Sequence, residues 1–271
     1  MKMSSRYALG YGEFEQDRLI AQSLRFAQIT ERFLSEAGVR EAQRVLDVGS
    51  GLGDVALAAA RLVRNSGEVI GIEQNAKSIA IARDRAAAAG YENVRFVQAD
   101  LTQFDYEDSV DAVVGRFVLE FLPDPAATVR RLSRSVRRGG IVAFQEPWTS
   151  ILRGFTDDLP LWNACVSVLR NAIKFCGGNP DLGSTLHHVY QDAGLPPPFT
   201  RIDMLLNDSP DLAVWGCDVA LSAVGQLNEG ELDVSILGDL ETLRERVIAE
   251  VRNSGHVVPS VPLVGAWCRV G

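Results

Sequence analysis

The sequence predicts an α/β fold with a doubly wound sheet of seven strands, most of them parallel. Between residues 44 and 147, five short apolar runs alternate with helical stretches, as expected when right-handed crossovers join parallel strands. The first run stops abruptly in alternating glycines and continues directly as a helix, which indicates a strand, a tight turn and a helix N-terminus. Further β-rich runs lie late in the chain and supply the remaining strands.

The N-terminal region is predicted to be helical before the first strand. Residues 12–38 carry apolar positions at a largely helical spacing that ends at Gly38. The aromatic, glycine-rich segment 7–12 precedes this helix or helix pair and is too short to form a domain. We therefore expect residues 1–42 to form an arm and helices outside the sheet.

The predicted core of the sheet covers residues 43–147. The second apolar run ends at Glu73, and the helix after it ends at Gly90. Pro123-Asp124-Pro125 starts the helix that follows the fourth run, and Gly139-Gly140 turns into the fifth. The predicted strands are 44–48, 68–72, 94–98, 110–114 and 141–144, and the first two predicted helices are 54–64 and 76–89.

After Pro147 the regular alternation of strands and helices ends. Residues 196–198 are three consecutive prolines, a stiff connector that cannot continue a helix. We expect residues 148–258 to form a helical lid that contains the sixth strand, and residues 259–271 to return as the final strand of the core sheet. The predicted late helices are 159–176, 185–193, 211–227 and 237–254, and the predicted late strands are 199–206 and 263–270.

The composition is that of a soluble enzyme and disfavours several partner classes. The formal net charge of -8 disfavours nucleic acid, whose binding depends on contacts between basic residues and phosphates. No apolar run can span a bilayer and residues 1–6 lack the apolar core of a signal peptide, so we expect a cytoplasmic protein. The four cysteines form no Cys-x-x-Cys pair, and the histidines and carboxylates have no known metal spacing, so we expect no bound metal.

The glycine turn at Gly49, Gly51 and Gly53 is typical of nucleotide-like ligands, but the turn alone does not identify one. In a dinucleotide fingerprint that starts at Gly49, the third glycine falls at position 54, where this chain has Asp54. A carboxylate at a helix N-terminus repels a pyrophosphate, so the ligand is predicted to lack phosphate at this point. No Gly-Lys-Ser/Thr follows, which excludes a Walker-type P-loop.

Acidic residues stand on three successive predicted strands beside this turn. Asp47 lies in the first, Glu73 ends the second and Asp100 follows the third. At the end of the second strand, Glu73 is positioned to accept hydrogen bonds from both ribose hydroxyls of an adenosine. Asp100 is positioned to accept one from an exocyclic amine such as adenine N6. The sequence therefore predicts a phosphate-free adenosine site.

The segment from Asp47 to Gly53 resembles the Asp/Glu-x-Gly-x-Gly-x-Gly signature of class I S-adenosylmethionine-dependent methyltransferases. The resemblance continues through residues 99–100, 116–119 and 138–140, and is nearest to the small-molecule group that includes ubiquinone/menaquinone biosynthesis. It implies a Rossmann-like methyltransferase fold and S-adenosyl-L-methionine as cofactor. The implied cofactor residues are Asp47, Gly49, Ser50, Gly51, Gly53, Glu73, Gln74, Asp100, Leu101 and Arg116, with Arg18 and Gln22 near the methionine end.

Methyl transfer from a sulfonium is an in-line displacement in which a dedicated base is optional. The candidate bases are Glu146, His187 and His188. Glu146 follows the predicted fifth strand and so faces the edge where acceptors bind. The two histidines are adjacent on a predicted helix, so at most one of them can face a shared pocket. Aromatic residues of the lid suggest a hydrophobic or aromatic small-molecule acceptor, methylated at O, N or C. The candidate acceptor-binding residues are Tyr11, Phe117, Glu120, Trp162 and Trp215.

Two other functions compete with this hypothesis. A nicotinamide-dependent oxidoreductase shares the glycine turn but is opposed by Asp54. A protein that binds S-adenosylmethionine without methylating would carry the same cofactor residues. The sequence favours the small-molecule methyltransferase.

Overall fold

The computed structural model describes residues 9–155, 157–227 and 232–271. Residues 1–8, which begin the predicted N-terminal arm and include Tyr7 and Ala8, lie outside the described residues. None of the helices in these ranges is long and apolar enough to cross a membrane.

Nine strands are described, and seven of them form one sheet, which confirms the predicted fold class. The strands are β1 (Arg44–Val48), β2 (Glu68–Glu73), β3 (Val94–Gln98), β4 (Val110–Arg116), β5 (Val136–Pro147), β6 (Phe199–Asp203), β7 (Leu206–Asn207), β8 (Val258–Pro259) and β9 (Leu263–Arg269). The order in the large sheet is β3-β2-β1-β4-β5-β9-β6, with β1 to β5 parallel and β9 antiparallel to both of its neighbours. The short strands β7 and β8 pair separately.

The described α-helices flank this sheet. They are α1 (Glu13–Ala37), α2 (Asp54–Val63), α3 (Ala76–Ala88), α4 (Pro125–Ser133), α5 (Pro160–Phe175), α6 (Leu186–Asp192), α7 (Pro210–Ala213), α8 (Trp215–Val224) and α9 (Leu243–Ser254). Short 3-10 helical turns lie at Leu119–Phe121, Thr149–Phe155, Leu182–Thr185 and Ser235–Leu237. Strands β1 to β4 are parallel, so their carboxyl ends meet at one edge, where open α/β sheets form ligand-binding crevices.

The predicted elements agree closely with the structure in the core and less well after Pro147. Strands β1 and β3 begin and end where predicted. The predicted helix 211–227 is two helices, α7 and α8, which meet at Val214. The indole Nε1 of Trp215 donates a hydrogen bond to the carbonyl of Pro259, 2.8 Å away, which fixes the start of α8 against β8.

Two further late predictions were wrong in extent. The predicted strand 199–206 is divided between β6 in the large sheet and β7 in the small one. The predicted helix 237–254 begins only at Leu243, after a 3-10 turn. In both cases tertiary contacts interrupt an element that the local sequence pattern predicts as continuous. Strand β7 pairs with β8, and Leu237 is buried in the cluster formed by the late helices.

The late helices form a hydrophobic cluster of their own beside the sheet. Helix α5 packs against α8 and α9, and α1 contacts both α2 and α8, so α1 joins this cluster to the core. The rings of Trp162 on α5 and Trp215 on α8 meet edge to face with centroids 5.9 Å apart. This arrangement brings one side of α5 and α8 to the carboxyl edge of the sheet.

Candidate functional site

The glycine turn between β1 and α2 has a left-handed backbone at each of its glycines. The φ angles of Gly49, Gly51 and Gly53 are 66, 52 and 88°. A Cβ on Gly49 would lie 2.4 Å from Val118 Cγ2, whereas a Cβ on Gly51 would meet nothing within 4 Å. Only glycine adopts these angles without strain, and Gly51 leaves its backbone open to a ligand. The turn therefore forms an open cradle.

Glu73 at the end of β2 is tied to this turn by backbone hydrogen bonds. Its Oε2 accepts a bond from the Gly51 amide at 3.1 Å, and its Oε1 accepts one from the Asn75 amide at 2.8 Å. A carboxylate offers about four acceptor positions, so about two remain for a ligand. Beside it, the Gln74 side-chain amide donates to the Tyr11 hydroxyl at 3.0 Å, which fixes the first described turn of the arm over the strand end.

Asp100 follows β3 at the same edge. Its Oδ1 accepts hydrogen bonds from the backbone amide and the hydroxyl of Thr102, each at 2.8 Å. These bonds fix the orientation of the exposed carboxylate. Asp100 and Leu101 both border the cavity described below.

Arg116 at the end of β4 is a buried cation surrounded by aromatic rings. Its guanidinium carbon lies 5.9 Å from the ring centre of Phe26 and 5.8 Å from that of Phe117. Its Nη1 donates to the hydroxyl of Thr30 at 2.6 Å. Phe117 itself has φ 55°, a left-handed conformation that is strained for a residue with a side chain and that redirects the backbone at the cavity wall.

Asp54 is compensated by two arginines. Arg85 Nη1 lies 2.6 Å from Asp54 Oδ1, and Arg116 Nη2 lies 3.6 Å from Asp54 Oδ2. The repulsion of phosphate that the sequence predicts for this carboxylate is therefore weakened in the folded protein. Asp54 therefore opposes the binding of a dinucleotide less strongly than the sequence suggests.

Arg18 and Gln22 of α1 border the cavity, and Arg18 already has protein partners. Its Nε and Nη2 donate to the two carboxylate oxygens of Glu15 at 2.6 and 2.7 Å, and its Nη1 donates to Gln22 Oε1 at 2.8 Å. All three side chains are held on one face of α1. The structure thus confines Arg18 within a charge-compensated cluster.

A cavity of about 230 Å³ joins these residues at the carboxyl edge of the sheet. One end is bordered by the glycine turn and by the ends of β2 and β3. The other is bordered by the segment after β4, by α5 and by α8. The sequence-predicted residues that border it are Tyr11, Arg18, Gln22, Gly49, Ser50, Gly51, Glu73, Gln74, Asp100, Leu101, Arg116, Phe117, Glu120 and Trp215.

Several cavity residues were missed from the sequence. Leu169 and Ile173 of α5 and Val219 of α8 border the second end of the cavity. Leu169 and Ile173, like Trp215 and Val219, are four residues apart, so the helical apolar face was visible in the sequence. That periodicity marks a buried face without showing whether a cavity or another helix covers it.

Asp47 and Gly53 lie near the turn but do not border the cavity. Asp47 is 0% exposed, and burial raises its pKa well above the ordinary value although the Arg116 charge opposes the shift. A Cβ on Gly53 would lie 3.1 Å from the Phe96 ring and 3.2 Å from the Ala82 Cβ, so this glycine permits close packing of α2. The expectation that these two residues contact the cofactor directly stays a prediction.

Glu146, a candidate base from the sequence, has an enclosed carboxylate that already accepts hydrogen bonds, and its role as a base stays a prediction. The side chain is 0% exposed and does not border the cavity. Its Oε1 accepts hydrogen bonds from the amides of Val118 at 3.2 Å and Leu119 at 2.9 Å, and its Oε2 accepts one from the Glu120 amide at 3.2 Å. Burial raises the pKa of Glu146 to about 7 against the effect of these donors. Glu146 therefore fixes the turn after β4.

The histidines and Trp162 also lie outside the cavity. His187 and His188 are exposed on α6 with ring centres 3.9 Å apart, and their role as bases stays a prediction. Trp162 is 0% exposed within the α5–α8 contact, and its role in acceptor binding stays a prediction. Among the described residues, no group of three or more His, Cys, Asp or Glu residues is arranged to hold a metal ion.

Glu120 borders the cavity and is the predicted site residue with the most unusual surroundings. It is 4% exposed, and within the described chain its Oε2 has no hydrogen-bond partner. Burial and the neighbouring Glu146 carboxylate raise the pKa of Glu120 well above its ordinary value. Its carboxyl group is thus held at the cavity wall without an ionic or hydrogen-bonding partner at Oε2.

The residues at the sheet edge fit an adenosyl group. Gly51 leaves its backbone open, and Glu73 and Asp100 supply acceptor oxygens for hydroxyl and amine donors. The buried Ser50 hydroxyl also borders the cavity and has no hydrogen-bond partner in the described ranges. At the sheet edge, hydrogen-bond acceptor oxygens outnumber unpaired positive charges. This composition suits a ligand that donates hydrogen bonds from ribose hydroxyls and an adenine amine.

Comparison with known proteins identifies the family. A family model described as a methyltransferase domain matches residues 40–194. The ubiquinone/menaquinone biosynthesis C-methyltransferase UbiE of Azotobacter vinelandii is 34% identical over 131 residues, which cover 46% of this chain and 52% of that protein. The demethylmenaquinone methyltransferase of Staphylococcus aureus is 32% identical over 117 residues, covering 43% and 48%. The chain spans about half the length of the curated relatives it matches.

A solved structure shares the fold. The SAM-dependent methyltransferase from Aquifex aeolicus superposes with a TM-score of 0.52 at 18% identity, covering 71% of this chain and 91% of that one. At this identity the likeness concerns the fold alone. The family model, however, matches more than half of the 271 residues, including β1 to β5 and the glycine turn. The chain therefore belongs to the S-adenosylmethionine-dependent methyltransferase family.

Proposed function

We propose that this chain transfers the methyl group of S-adenosylmethionine to a small hydrophobic or aromatic molecule. Family membership supports the reaction class. The observation that carries the acceptor class is the cavity itself, whose polar end at the sheet edge continues into an apolar end bordered by α5 and α8. A cofactor with a polar adenosyl group matches the first end, and an apolar acceptor molecule matches the second.

The proposed cofactor end is the glycine turn with Glu73 and Asp100. Glu73 accepts hydrogen bonds from the ribose hydroxyls with the acceptor positions that Gly51 and Asn75 leave free, and Asp100 accepts one from the adenine amine. S-adenosylmethionine, when bound, supplies an electrophilic methyl group on a sulfonium. The residues around it hold the reacting groups in line and exclude water.

The proposed acceptor end lies between the segment after β4 and the late helices. Phe117, Leu169 and Ile173 border it together with Trp215 and Val219. We infer that residues 148–258, and above all α5 and α8, act as the lid that covers the acceptor. Arg116 and Phe117 stand where the two ends meet.

A quinol-type acceptor methylated at carbon is the finer hypothesis. The two relatives are named for ubiquinone/menaquinone biosynthesis and for demethylmenaquinone. An apolar compartment bordered by aromatic side chains is compatible with a ring of that size class. We therefore place demethylated quinols first among the acceptors to be tested.

An acceptor screen with methyl-labelled S-adenosylmethionine tests the proposal. Mass spectrometry of each reaction should show an acceptor whose mass increases by one labelled methyl group, together with S-adenosylhomocysteine. Binding of the cofactor without transfer to any acceptor, quinols included, would favour a non-methylating protein. Thermal stabilisation by NAD and not by S-adenosylmethionine would restore the oxidoreductase alternative.

A further inference from the structure

Glu120 is a buried carboxyl group on the wall of the proposed acceptor end. It belongs to the 3-10 turn Leu119–Phe121 that follows β4, and the turn places it beside Phe121 and Leu122 of the cavity wall. The residue is 4% exposed. A carboxyl group in such a position has either a strong partner in the protein or a function toward a ligand.

The turn distributes its hydrogen-bond donors unequally between two carboxyl groups. The amides of Val118, Leu119 and Glu120 all donate to Glu146. Glu120 Oε2 receives no donor from the described part of the chain. Three amide donors stabilise a negative charge on Glu146, whereas a charge on Glu120 would lack this support and would stand close to another carboxylate.

The other charges that face Glu120 do not change this balance. Arg18 of α1 attracts a negative charge on Glu120, but its guanidinium is bonded to both oxygens of Glu15. Asp181, in the segment after α5, repels such a charge and is itself paired with Arg170 at 2.7 Å. Burial and the neighbouring Glu146 act in the same direction as Asp181. The neutral form of Glu120 is therefore favoured.

We propose that Glu120 retains its proton and donates a hydrogen bond to a carbonyl or other neutral oxygen of an apolar acceptor molecule. A protonated carboxyl has one O–H donor, which a carboxylate lacks. In the low dielectric of this wall a donor without a partner is costly, so a ligand that supplies an oxygen is selected over its hydrocarbon analogue. Glu120 thus acts as a specificity-determining group that recognises a polar atom on an otherwise apolar ligand. This inference rests on the proposed function, since it assumes that the apolar end receives the acceptor.

Two probes of nearly equal shape separate a donor from an acceptor at Glu120. The ketone 1-tetralone carries an oxygen that only accepts hydrogen bonds, and tetralin is the matching hydrocarbon. Calorimetry measures the affinity of each for the full chain saturated with S-adenosylhomocysteine. The readout is the ratio of the two affinities, which cancels general effects of hydrophobicity and of pocket volume.

The variants Glu120→Gln and Glu120→Leu make the test specific. Glutamine keeps an N–H donor of similar shape, so its ratio should stay within about twofold of the unchanged protein. Leucine removes the donor, so the preference for the ketone should fall by about fivefold. Glu92→Gln, at an exposed carboxylate away from the cavity, is the control that should leave the ratio unchanged.

The possible results separate this inference from the function on which it rests. A ketone preference that glutamine keeps and leucine loses supports a protonated Glu120. Equal ratios in the unchanged protein and Glu120→Leu overturn the inference while leaving the acceptor end intact. Failure of both probes to bind, with S-adenosylhomocysteine bound normally, overturns the acceptor end itself.

Infrared spectroscopy gives a second measurement that needs no ligand and no leucine variant. The spectrum of the unchanged protein minus that of Glu120→Gln at neutral pH should contain the C=O band of a protonated carboxyl. A carboxylate band in its place would overturn the proposal.

Discussion

The two ends of the cavity are built by different means. At the sheet edge, Gly51, Glu73 and Asp100 are held by backbone hydrogen bonds and by glycine conformations that follow directly from the ends of β1, β2 and β3. At the other end, side chains of α5 and α8 meet the segment after β4 only through tertiary packing. The sheet edge positions a ligand through hydrogen-bonding groups that the backbone holds in place. The other end is an apolar space whose shape depends on the positions of the helices. The two ends are therefore expected to respond differently to substitution.

Glu146→Ala should produce the largest effect, because Glu146 holds the turn that joins the two ends. Removal of its carboxylate leaves three buried amides of residues 118–120 without their acceptor, and the free energy of unfolding should fall by about 3 kcal/mol. Urea denaturation measures the change, and Glu146→Gln, which keeps one acceptor oxygen, should lose less. A change below about 0.5 kcal/mol in the alanine variant would show that the turn does not depend on Glu146.

Glu73→Ala should weaken ligand binding at the polar end of the cavity and leave the apolar end unchanged. Loss of the carboxylate removes the proposed ribose contact and the bonds to Gly51 and Asn75, so S-adenosylhomocysteine should bind about 2 kcal/mol more weakly. Isothermal titration calorimetry gives this value directly. The matched control is Glu92→Ala, an exposed carboxylate away from the cavity, which should bind normally. Unchanged affinity of the Glu73 variant would remove this residue from the cofactor site.

The two carboxyl groups of the turn should make stability depend on pH. Burial raises the pKa of Glu146 from 4.5 to about 7 and that of Glu120 in the same direction, so the folded state binds protons more tightly than the unfolded state does. The stabilising contribution of the Glu146 proton is present below about pH 4.5 and is lost as the pH rises through about 7, by up to about 1.4 kcal/mol per pH unit, and the raised pKa of Glu120 adds a loss in the same direction. Denaturation across this pH range should show a shallower loss in Glu120→Gln. If the unfolding free energies of the unchanged protein and of Glu120→Gln varied with pH in parallel, Glu120 would be an ordinary ionised carboxylate.

Ile173→Phe should disturb the apolar end and leave the polar end unchanged. The larger ring occupies part of the cavity beside Leu169, so the KM for an acceptor found in the screen should rise about fivefold. The affinity for S-adenosylhomocysteine should stay within about twofold, because Ile173 lies on α5 and not at the sheet edge. Equal losses at both ends would indicate that the cavity is a single site without this division.

Replacing both His187 and His188 by glutamine should have the smallest effect. Both side chains are exposed on α6, outside the cavity, so stability should change by less than about 0.5 kcal/mol and turnover should be unaltered. The test is the pH profile of kcat for the double variant. A loss of turnover in the double variant, together with loss of the acidic limb along which a base becomes protonated and inactive, would identify the histidines as bases and contradict the placement of chemistry at the sheet edge.

The same contrast explains how much the sequence could predict. The glycine turn, Glu73 and Asp100 follow strand ends, and a strand end is a local pattern that also fixes position in a parallel sheet. Leu169, Ile173 and Val219 look in the sequence like any buried helical face, and their role depends on how α5 and α8 are placed.

Glu146 shows a contact that the sequence does not reveal. Its position after the predicted fifth strand, 141–144, suggested a group open to the sheet edge, whereas in the structure it lies within β5 and accepts hydrogen bonds from the amides of residues 118–120. Hydrogen bonds between residues 26–28 positions apart leave no local signal. The packing of Trp162 against Trp215 also leaves no local signal, because an aromatic residue on an apolar helix face can border a cavity or fill a helix contact.

A crystal structure of the chain with S-adenosylhomocysteine tests the division of the cavity most directly. We expect ribose hydroxyls within hydrogen-bond distance of the Glu73 carboxylate, adenine beside Asp100, and the sulfur atom directed toward Phe117 and Glu120. An adenosine lodged between α5 and α8, with no contact to Glu73, would contradict it.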